Sequence, residues 1–293
     1  MMLRSSSPIK TAHRCKCCGR ESPLISRSFG VCLDCIPRHF EKVSSGIYEA
    51  YGKAREAFKL PARPPKAEDG ISCHLCLNEC RLLEGDVSYC GLRSVEGGKL
   101  VGASAELGNV SWYHDPLPTD CVADWVSPLQ LAEAVDERTS CICWGTNGSM
   151  QPALLKRAAE LSLDSGGCIK FDLKAWDEGL HIALCGVSNK RTFENFRLLA
   201  GYIERRLSPP FLVASTLLIP GYVDREEVSE IATFISSLGA SIPYAPLAFH
   251  PDFLMADLPA TLLHHAQECL EAARAAGLKR VRLGNIHLPG NNY

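Results

Sequence analysis

The spacing of apolar residues changes along the chain at about position 127. Before it, Phe40, Val43, Ile47, Tyr51, Ala54 and Phe58 recur every three or four residues. That spacing predicts a helix over 36–60, stopped by Pro61, Pro64 and Pro65, which open a linker. Strand-like and loop-like sequence then runs to about 126, with turns at Pro116, Pro118 and Asp120. Beyond it, short apolar runs at 141–144, 168–173, 211–219, 242–249 and 280–283 alternate with helical stretches at about 151–163, 192–206, 225–238 and 260–276. Ser127-Pro128-Leu129-Gln130 reads as a helix start, a hydroxyl cap followed by proline at the first helical position. In 225–238, Val228, Ile231, Ala232, Ile235 and Leu238 share one face, and Asp224 with Glu227 makes a capping-box-like start. Strand then helix, repeated, predicts an α/β fold on a parallel sheet.

One strand brings charge into that plan. In 168–174, Ile169, Phe171 and Leu173 point one way, and Lys170, Asp172 and Lys174 point the other. Both faces of a parallel sheet are normally covered, so three enclosed charges need partners or a polar ligand. A barrel lumen with a ligand satisfies this; an exposed edge strand or a Lys–Asp salt bridge is the plainer reading. The apolar runs end in Thr146-Asn147-Gly148, Asp172-Leu173-Lys174, Ile219-Pro220-Gly221, Phe249-His250-Pro251 and Gly284-Asn285. The carboxyl ends of parallel strands are where α/β barrels place their sites. Gly148 and Gly221 would let a ligand approach the main chain, although such tripeptides are also ordinary turns.

Composition bounds the possibilities. The chain has 293 residues, 46% hydrophobic and 22% charged, which predicts a packed globular protein. With 31 Lys+Arg against 33 Asp+Glu, the formal charge of −2 argues against a nucleic-acid partner. No apolar run approaches the ~20 residues of a membrane span, and residues 1–13 carry no apolar signal core, so a cytoplasmic location is expected.

Cysteine is the outlying residue: 15 in all. Nine of them fall in the first 90 residues. Clustered thiols in a reducing compartment read as metal ligands or redox groups. Cys15-x2-Cys18 and Cys32-x2-Cys35 are paired knuckles suited to tetrahedral zinc, and predict a zinc-ribbon-like module; Cys17 is left over. Cys73-x2-Cys76-x3-Cys80-x9-Cys90 is a second four-thiol set. Zinc and a [4Fe–4S] cluster both accept four cysteines, and spacing does not choose between them.

Residues 73–93, CHLCLNECRLLEGDVSYCGLR, resemble the N-terminal segment of radical SAM proteins of the AmmeMemoRadiSam and pyruvate formate-lyase-activating-enzyme-like group. Residues 112–126, WYHDPLPTDCVADWV, are similar to the segment leading into their barrel, and 144–148, 165–175, 214–223 and 242–257 to their later strands. The resemblance implies a partial parallel (βα) barrel and a [4Fe–4S] cluster that binds S-adenosylmethionine and cleaves it to a 5′-deoxyadenosyl radical. It implies that Thr146, Asn147 and Gly148 lie beside S-adenosylmethionine, that Asp172 helps hold a cation or the cofactor carboxylate, and that Lys174 completes a D-x-K pair.

The family's C-x3-C-x2-C cluster loop occurs nowhere in the sequence, and Cys73, Cys76 and Cys80 have the reverse order. Gly145 stands where relatives usually carry an acid, and Cys141-Ile142-Cys143 runs directly into the 144–148 motif. The barrel is therefore expected to be truncated at its start, leaving an edge open to self-association. Three segments are expected: a zinc-ribbon-like module and helix at 1–60, a linker with the second cysteine set at 61–126, and the partial barrel at 127–293. The functional expectation is an activating-enzyme-like iron–sulfur protein unable to cleave S-adenosylmethionine as it stands, acting on an unidentified small molecule or protein. The alternatives are a non-catalytic zinc-binding or partner-binding remnant, and an active enzyme whose gene has been read with a stretch missing.

Overall fold

The computed structural model describes residues 11–104 and 142–289. The expected helix start at Ser127, the segment 112–126 and Cys141 lie outside the described residues. The described chain begins with a two-stranded antiparallel ribbon, β1 (His13–Arg14) and β2 (Glu21–Ser22), then α1 (Cys35–Arg38) and α2 (Phe40–Glu56). Two small antiparallel pieces follow in order: β3 (Ile71–Ser72) with β4 (Arg81–Leu82), then β5 (Arg93–Glu96) with β6 (Lys99–Gly102). The α/β part comprises β7 (Trp144–Thr146), α3 (Pro152–Ser165), β8 (Ile169–Asp172), α4 (Glu178–Cys185), α5 (Lys190–Ala200), β9 (Leu212–Leu218), α6 (Arg225–Leu238), β10 (Tyr244–Ala248) and α7 (Leu263–Ala275).

The four strands β7 to β10 form one parallel sheet in the order β10-β9-β8-β7. Tyr244 is opposite Ala214 and Ala248 opposite Leu218; Trp144 is opposite Ile169 and Thr146 opposite Phe171. The expected α/β class and sheet direction are thus present. The run at 280–283 forms no strand, but Val281 bridges Tyr244 and Gly284 bridges Leu247 in parallel.

Two compact units divide the chain. The first takes the described part of Met1–Ser45 with Asp172–Cys185 and Ala214–Tyr293. Here α6 and α7 pack together and α7 lies against β10. Val228, Ile231, Ala232 and Ile235 are buried as their spacing predicts; Phe234 joins them, and Leu238 sits half-buried at the helix end. Asp224 caps α6 by accepting from the Glu227 N–H at 3.1 Å, but the Glu227 carboxylate does not complete the box. It accepts instead from the Trp176 and Asp177 N–H groups.

The second unit takes the described parts of Gly46–Phe171 with Gly186–Val213. Its main core joins Leu155, Ala159, Ile169, Phe171, Phe196 and Leu199, with the Phe171 and Phe196 rings edge to face at 5.3 Å. A smaller core gathers Cys73, Cys80, Leu82, Tyr89 and Val95.

Several element boundaries differ from the pattern-based expectation. The single helix expected over 36–60 breaks at His39, whose backbone leaves the helical region, and it ends at Glu56. Lys59 takes a left-handed conformation (φ 57°), and the Leu60 N–H closes the end onto the Arg55 carbonyl at 3.0 Å. Phe58 is therefore outside the helix and 63% exposed, not on its buried face. The strand expected at 141–144 instead covers Trp144–Thr146. Helix α4 was not foreseen: its eight residues EGLHIALC, which mix apolar side chains with Glu178 and His181, are too few to establish a helical period. The sign that was present is Asp177, which accepts from the Leu180 N–H at 2.7 Å and starts the helix.

Candidate metal centre

The ribbon builds its site from two tight turns. The first lies between β1 and β2 and carries Cys15 and Cys18; the second leads into α1 and carries Cys32 and Cys35. The four sulfurs all lie within 4.8 Å of one another, and Cys18 and Cys32 stand 3.7 Å apart. A tetrahedral ion with Zn–S bonds of about 2.3 Å sets its ligands about 3.8 Å apart, so this spacing fits one such ion. Cys15, Cys32 and Cys35 are buried, Cys18 is exposed, and the exposed Cys17 stays outside the group.

Electrostatics agree with a cation site. Burial alone would raise the Cys15 thiol, but the N–H groups of Cys18, Cys32 and Cys17 point at its sulfur and bring it down to about 6. Burial pushes the Cys35 thiol well above its ordinary value, and the neighbouring thiols Cys18 and Cys32 add to this. One sulfur ionises readily while a full set of thiolates repels itself, which is the condition a bound cation relieves. Arg20 is paired with Asp34 beside the second turn, so the rim carries a neutralised ion pair.

The turn after β9 holds the ribbon in place within the first unit. Tyr222 is fully buried; its hydroxyl accepts from the Ser26 N–H at 2.9 Å and donates to the Val31 carbonyl at 3.0 Å, one residue before Cys32. Its ring meets Phe29 edge to face at 5.4 Å. Burial holds the phenol well above its ordinary value, so it remains a donor. Asp257, in the loop after β10, accepts from the Arg27 N–H at 2.6 Å and the Ser26 hydroxyl at 3.4 Å, and pairs with His13 at 3.4 Å. Gly221 has φ 79°, and a Cβ there would lie 2.4 Å from the Leu24 carbonyl oxygen. The close approach expected of a ligand at this strand end is made by the ribbon itself. Tyr222 and Asp257 were missed in the sequence; Tyr222 directly follows the Ile-Pro-Gly turn, and nothing in the sequence distinguishes Asp257.

The second cysteine set lies in the other unit. Cys73 and Cys80 are buried in the small core, Cys76 is half-buried and Cys90 exposed. The Cys73 N–H donates to the Cys80 carbonyl at 2.7 Å, Tyr89 N–H donates to the Cys80 sulfur at 3.4 Å, and Arg93 donates to the Cys73 sulfur at 3.3 Å. Burial raises the Cys80 thiol, and Cys76, Cys73 and Cys90 each raise it further, so the four are electrostatic neighbours. Among the described residues, no three of them come within the 4.8 Å that the ribbon thiols achieve.

This set meets the Thr146-Asn147-Gly148 loop. Cys76 bridges Met150, the Leu77 N–H donates to the Ser149 carbonyl at 2.9 Å, and the Gln151 N–H donates to the Leu75 carbonyl at 3.0 Å. The loop is tied within itself. Thr146 Oγ1 accepts from the Gly148 N–H at 3.0 Å, and Asn147 Oδ1 accepts from the Ser149 N–H at 3.1 Å. Thr192 and Asn195, on α5, donate to the Asn147 and Gly148 carbonyls at 2.8 and 2.7 Å. Gly148 has φ 71°, and a Cβ would lie 2.7 Å from the Phe171 ring.

In the first unit, Asp172 and Lys174 form the ion pair that the plainer reading of the sequence offered, at 3.1 Å and each about one-third exposed. The Ser215 hydroxyl donates to the other Asp172 oxygen. Strand β8 is interior to the sheet, so the edge-strand reading is corrected. Lys170, in the second unit, is buried. Cys185 lies near Asp172 and Lys174, and burial lifts its thiol to about 11. Glu227 is a perturbed acid of the first unit: burial raises it to about 7 against the pull of the Trp176 and Asp177 N–H groups, with Asp177 and Asp224 adding to the rise.

No protein-family model matches the chain. Over 116 residues it is 39% identical to a Methanocaldococcus jannaschii protein whose name assigns it, provisionally, as a glycyl-radical enzyme activating enzyme. The match covers 39% of this chain and 41% of that protein, so the chain spans about two-fifths of the length of the curated relative it matches. A crystal structure of a domain of pyruvate-formate lyase-activating enzyme from Bacteroides vulgatus ATCC 8482 aligns at 20% identity with a TM-score of 0.35, over 44% of this chain and 74% of that domain. Among the described residues, no helix is long and apolar enough to cross a membrane.

Proposed function

We propose that this chain belongs to the radical SAM activating-enzyme-like group, and that Cys15, Cys18, Cys32 and Cys35 hold one structural zinc ion on a partial parallel (βα) barrel truncated at its start. The chain as it stands binds iron–sulfur at most through Cys73, Cys76, Cys80 and Cys90, and does not cleave S-adenosylmethionine. The observation that carries this reading is the close packing of the four ribbon sulfurs. A [4Fe–4S] cube places each thiolate on a different corner, so its ligands stand further apart than those of a single ion. A closed set of four also leaves no iron free for the amino and carboxylate groups of S-adenosylmethionine. The ribbon thus fits zinc and does not fit the cofactor-binding cluster.

The second set supports a further reading, iron–sulfur binding, because Cys76 and its neighbours lie against 149–151, directly after the 144–148 segment whose Thr146, Asn147 and Gly148 the family resemblance sets beside S-adenosylmethionine. Four thiolates on four irons would again leave no open corner, and the C-x3-C-x2-C spacing is absent. Asp172 and Lys174 neutralise one another here, and no step is assigned to them. The deciding measurement is zinc, iron and sulfide content of anaerobically purified protein, before and after reconstitution with iron and sulfide. One zinc that survives reconstitution is the expected result, with any iron lost in Cys73→Ser and Cys80→Ser variants. Release of 5′-deoxyadenosine on adding S-adenosylmethionine and a reductant would overturn the non-cleaving reading.

A further inference from the structure

Cys143 and Cys168 belong to neither ligand set. They immediately precede β7 and β8, and the next pair in register is Trp144 opposite Ile169. The two cysteines therefore face each other on neighbouring parallel strands, where backbones lie about 4.8 Å apart, inside the roughly 4.4–6.8 Å between Cα atoms that a disulfide accepts. Their sulfurs are 3.7 Å apart, and the Cys168 N–H donates to the Cys143 sulfur at 3.3 Å. Cys143 is exposed and Cys168 is buried. Arg206 donates to the carbonyls of Ser162 and Gly167, which places a guanidinium beside Cys168.

We propose that Cys143 and Cys168 form a reversible dithiol–disulfide couple whose substrate class is the small-molecule disulfides, represented by glutathione disulfide. The asymmetry of the pair assigns the roles. The exposed Cys143 sulfur meets the incoming disulfide, and the buried Cys168 sulfur, in contact with Cys143 but shielded from solvent, resolves the adduct. The hydrogen bond from Cys168 brings the Cys143 thiol down to about 6 against its own burial, so near neutral pH the pair holds one proton between two sulfurs. In the first step the Cys143 thiolate attacks one sulfur of glutathione disulfide, the S–S bond breaks, and glutathione thiolate leaves and takes up the Cys168 proton. In the second step the Cys168 thiolate attacks the Cys143 sulfur, and a second glutathione thiolate leaves and is protonated by solvent. Two protein thiols are oxidised by two electrons, and one glutathione disulfide is reduced to two thiols. The couple is independent of which metal the other cysteines hold.

The test uses the full, metal-loaded chain equilibrated with glutathione and glutathione disulfide at graded ratios, quenched with N-ethylmaleimide and mapped as unreduced peptides by mass spectrometry. The expected result is a Cys143–Cys168 cross-link that appears as the disulfide fraction rises and is reversed by dithiothreitol. In Cys168→Ser the reaction should stop at a glutathione adduct on Cys143; in Cys143→Ser, Cys168 should remain unmodified. The wild-type map decides even where a variant folds poorly. Recovery of both cysteines as N-ethylmaleimide adducts at every ratio, or an unresolved Cys143–glutathione adduct in the wild type, would overturn the proposal.

Discussion

Replacing Tyr222 by Phe removes one oxygen and leaves the packing against Phe29 in place. That oxygen accepts from the Ser26 N–H at 2.9 Å and donates to the Val31 carbonyl at 3.0 Å, and all three groups are buried. A buried group left without its partner costs about 1–3 kcal/mol, so the two together predict a loss of about 2–6 kcal/mol in the docking of 24–32 onto the turn after β9. At roughly 1.4 kcal/mol per factor of ten, even the lower figure predicts about 25-fold faster exchange of the local amides. Hydrogen–deuterium exchange read by mass spectrometry measures this directly. Peptides over 24–32 should accelerate at least that much in Tyr222→Phe, while peptides from α3, in the other unit, keep their rate. Unchanged exchange over 24–32 would refute the reasoning; equal acceleration everywhere would show that Tyr222 supports the whole fold and not the ribbon seat.

Glu227 titrates at about 7 when folded against an ordinary 4.5, so the folded protein holds a proton there that the unfolded chain has lost. Stability should fall as pH rises from about 4.5 to 7, by at most about 3 kcal/mol, and Glu227→Gln should flatten that slope in urea titrations at pH 5 and pH 8. A variant that keeps the slope would place it elsewhere. Cys15→Ser and Cys32→Ser should each lower bound zinc well below one per chain, whereas Cys73→Ser should not; equal loss in all three would contradict a separate ribbon site. Gly148→Ala combines a left-handed backbone with a Cβ 2.7 Å from the Phe171 ring. It should cost about 2–4 kcal/mol and lower the melting temperature by several degrees, and an unchanged melting temperature would count against the close packing described.

The parts of the fold legible in the sequence are those that local spacing dictates. Helix α6 spans Arg225–Leu238, the range its apolar period marks, because one buried face and an Asp cap both act within a few residues. The two C-x2-C knuckles announced the ribbon site because a tight turn fixes two sulfurs without help from distant residues. What local spacing did not carry was partner choice. Glu227 stands three residues after Asp224, as a capping box requires, yet its carboxylate binds the Trp176 and Asp177 N–H groups some 50 positions away in sequence. Helix α4 was illegible for a different reason: its eight residues are too short a stretch for the mixture of apolar side chains with Glu178 and His181 to write a period into the sequence.

The strand ends show how a correct local signal acquires a different meaning. Gly221 and the 249–257 loop follow β9 and β10 at their carboxyl ends, where parallel α/β sheets place ligands, and glycine freedom there indicates that something approaches the main chain. Something does: the Leu24 carbonyl at Gly221, the Ser26 amide and Val31 carbonyl at Tyr222, and the Arg27 amide at Asp257. The occupant is the chain's own cysteine ribbon, some 200 residues distant in sequence. Its seat is made of buried hydrogen bonds to backbone groups of 26–31, and those groups adopt their positions because the flanking cysteine turns are drawn around one point. The same bonds should therefore report on the metal: if the four thiolates lose their cation and repel, the Ser26 amide and Val31 carbonyl shift away from Tyr222. Chelation of the ribbon ion is then expected to raise exchange over 24–32 as Tyr222→Phe does, and chelation added to that variant to raise it by less than the sum of the two. Full additivity would mean that the metal and the tyrosine stabilise separate parts of the ribbon.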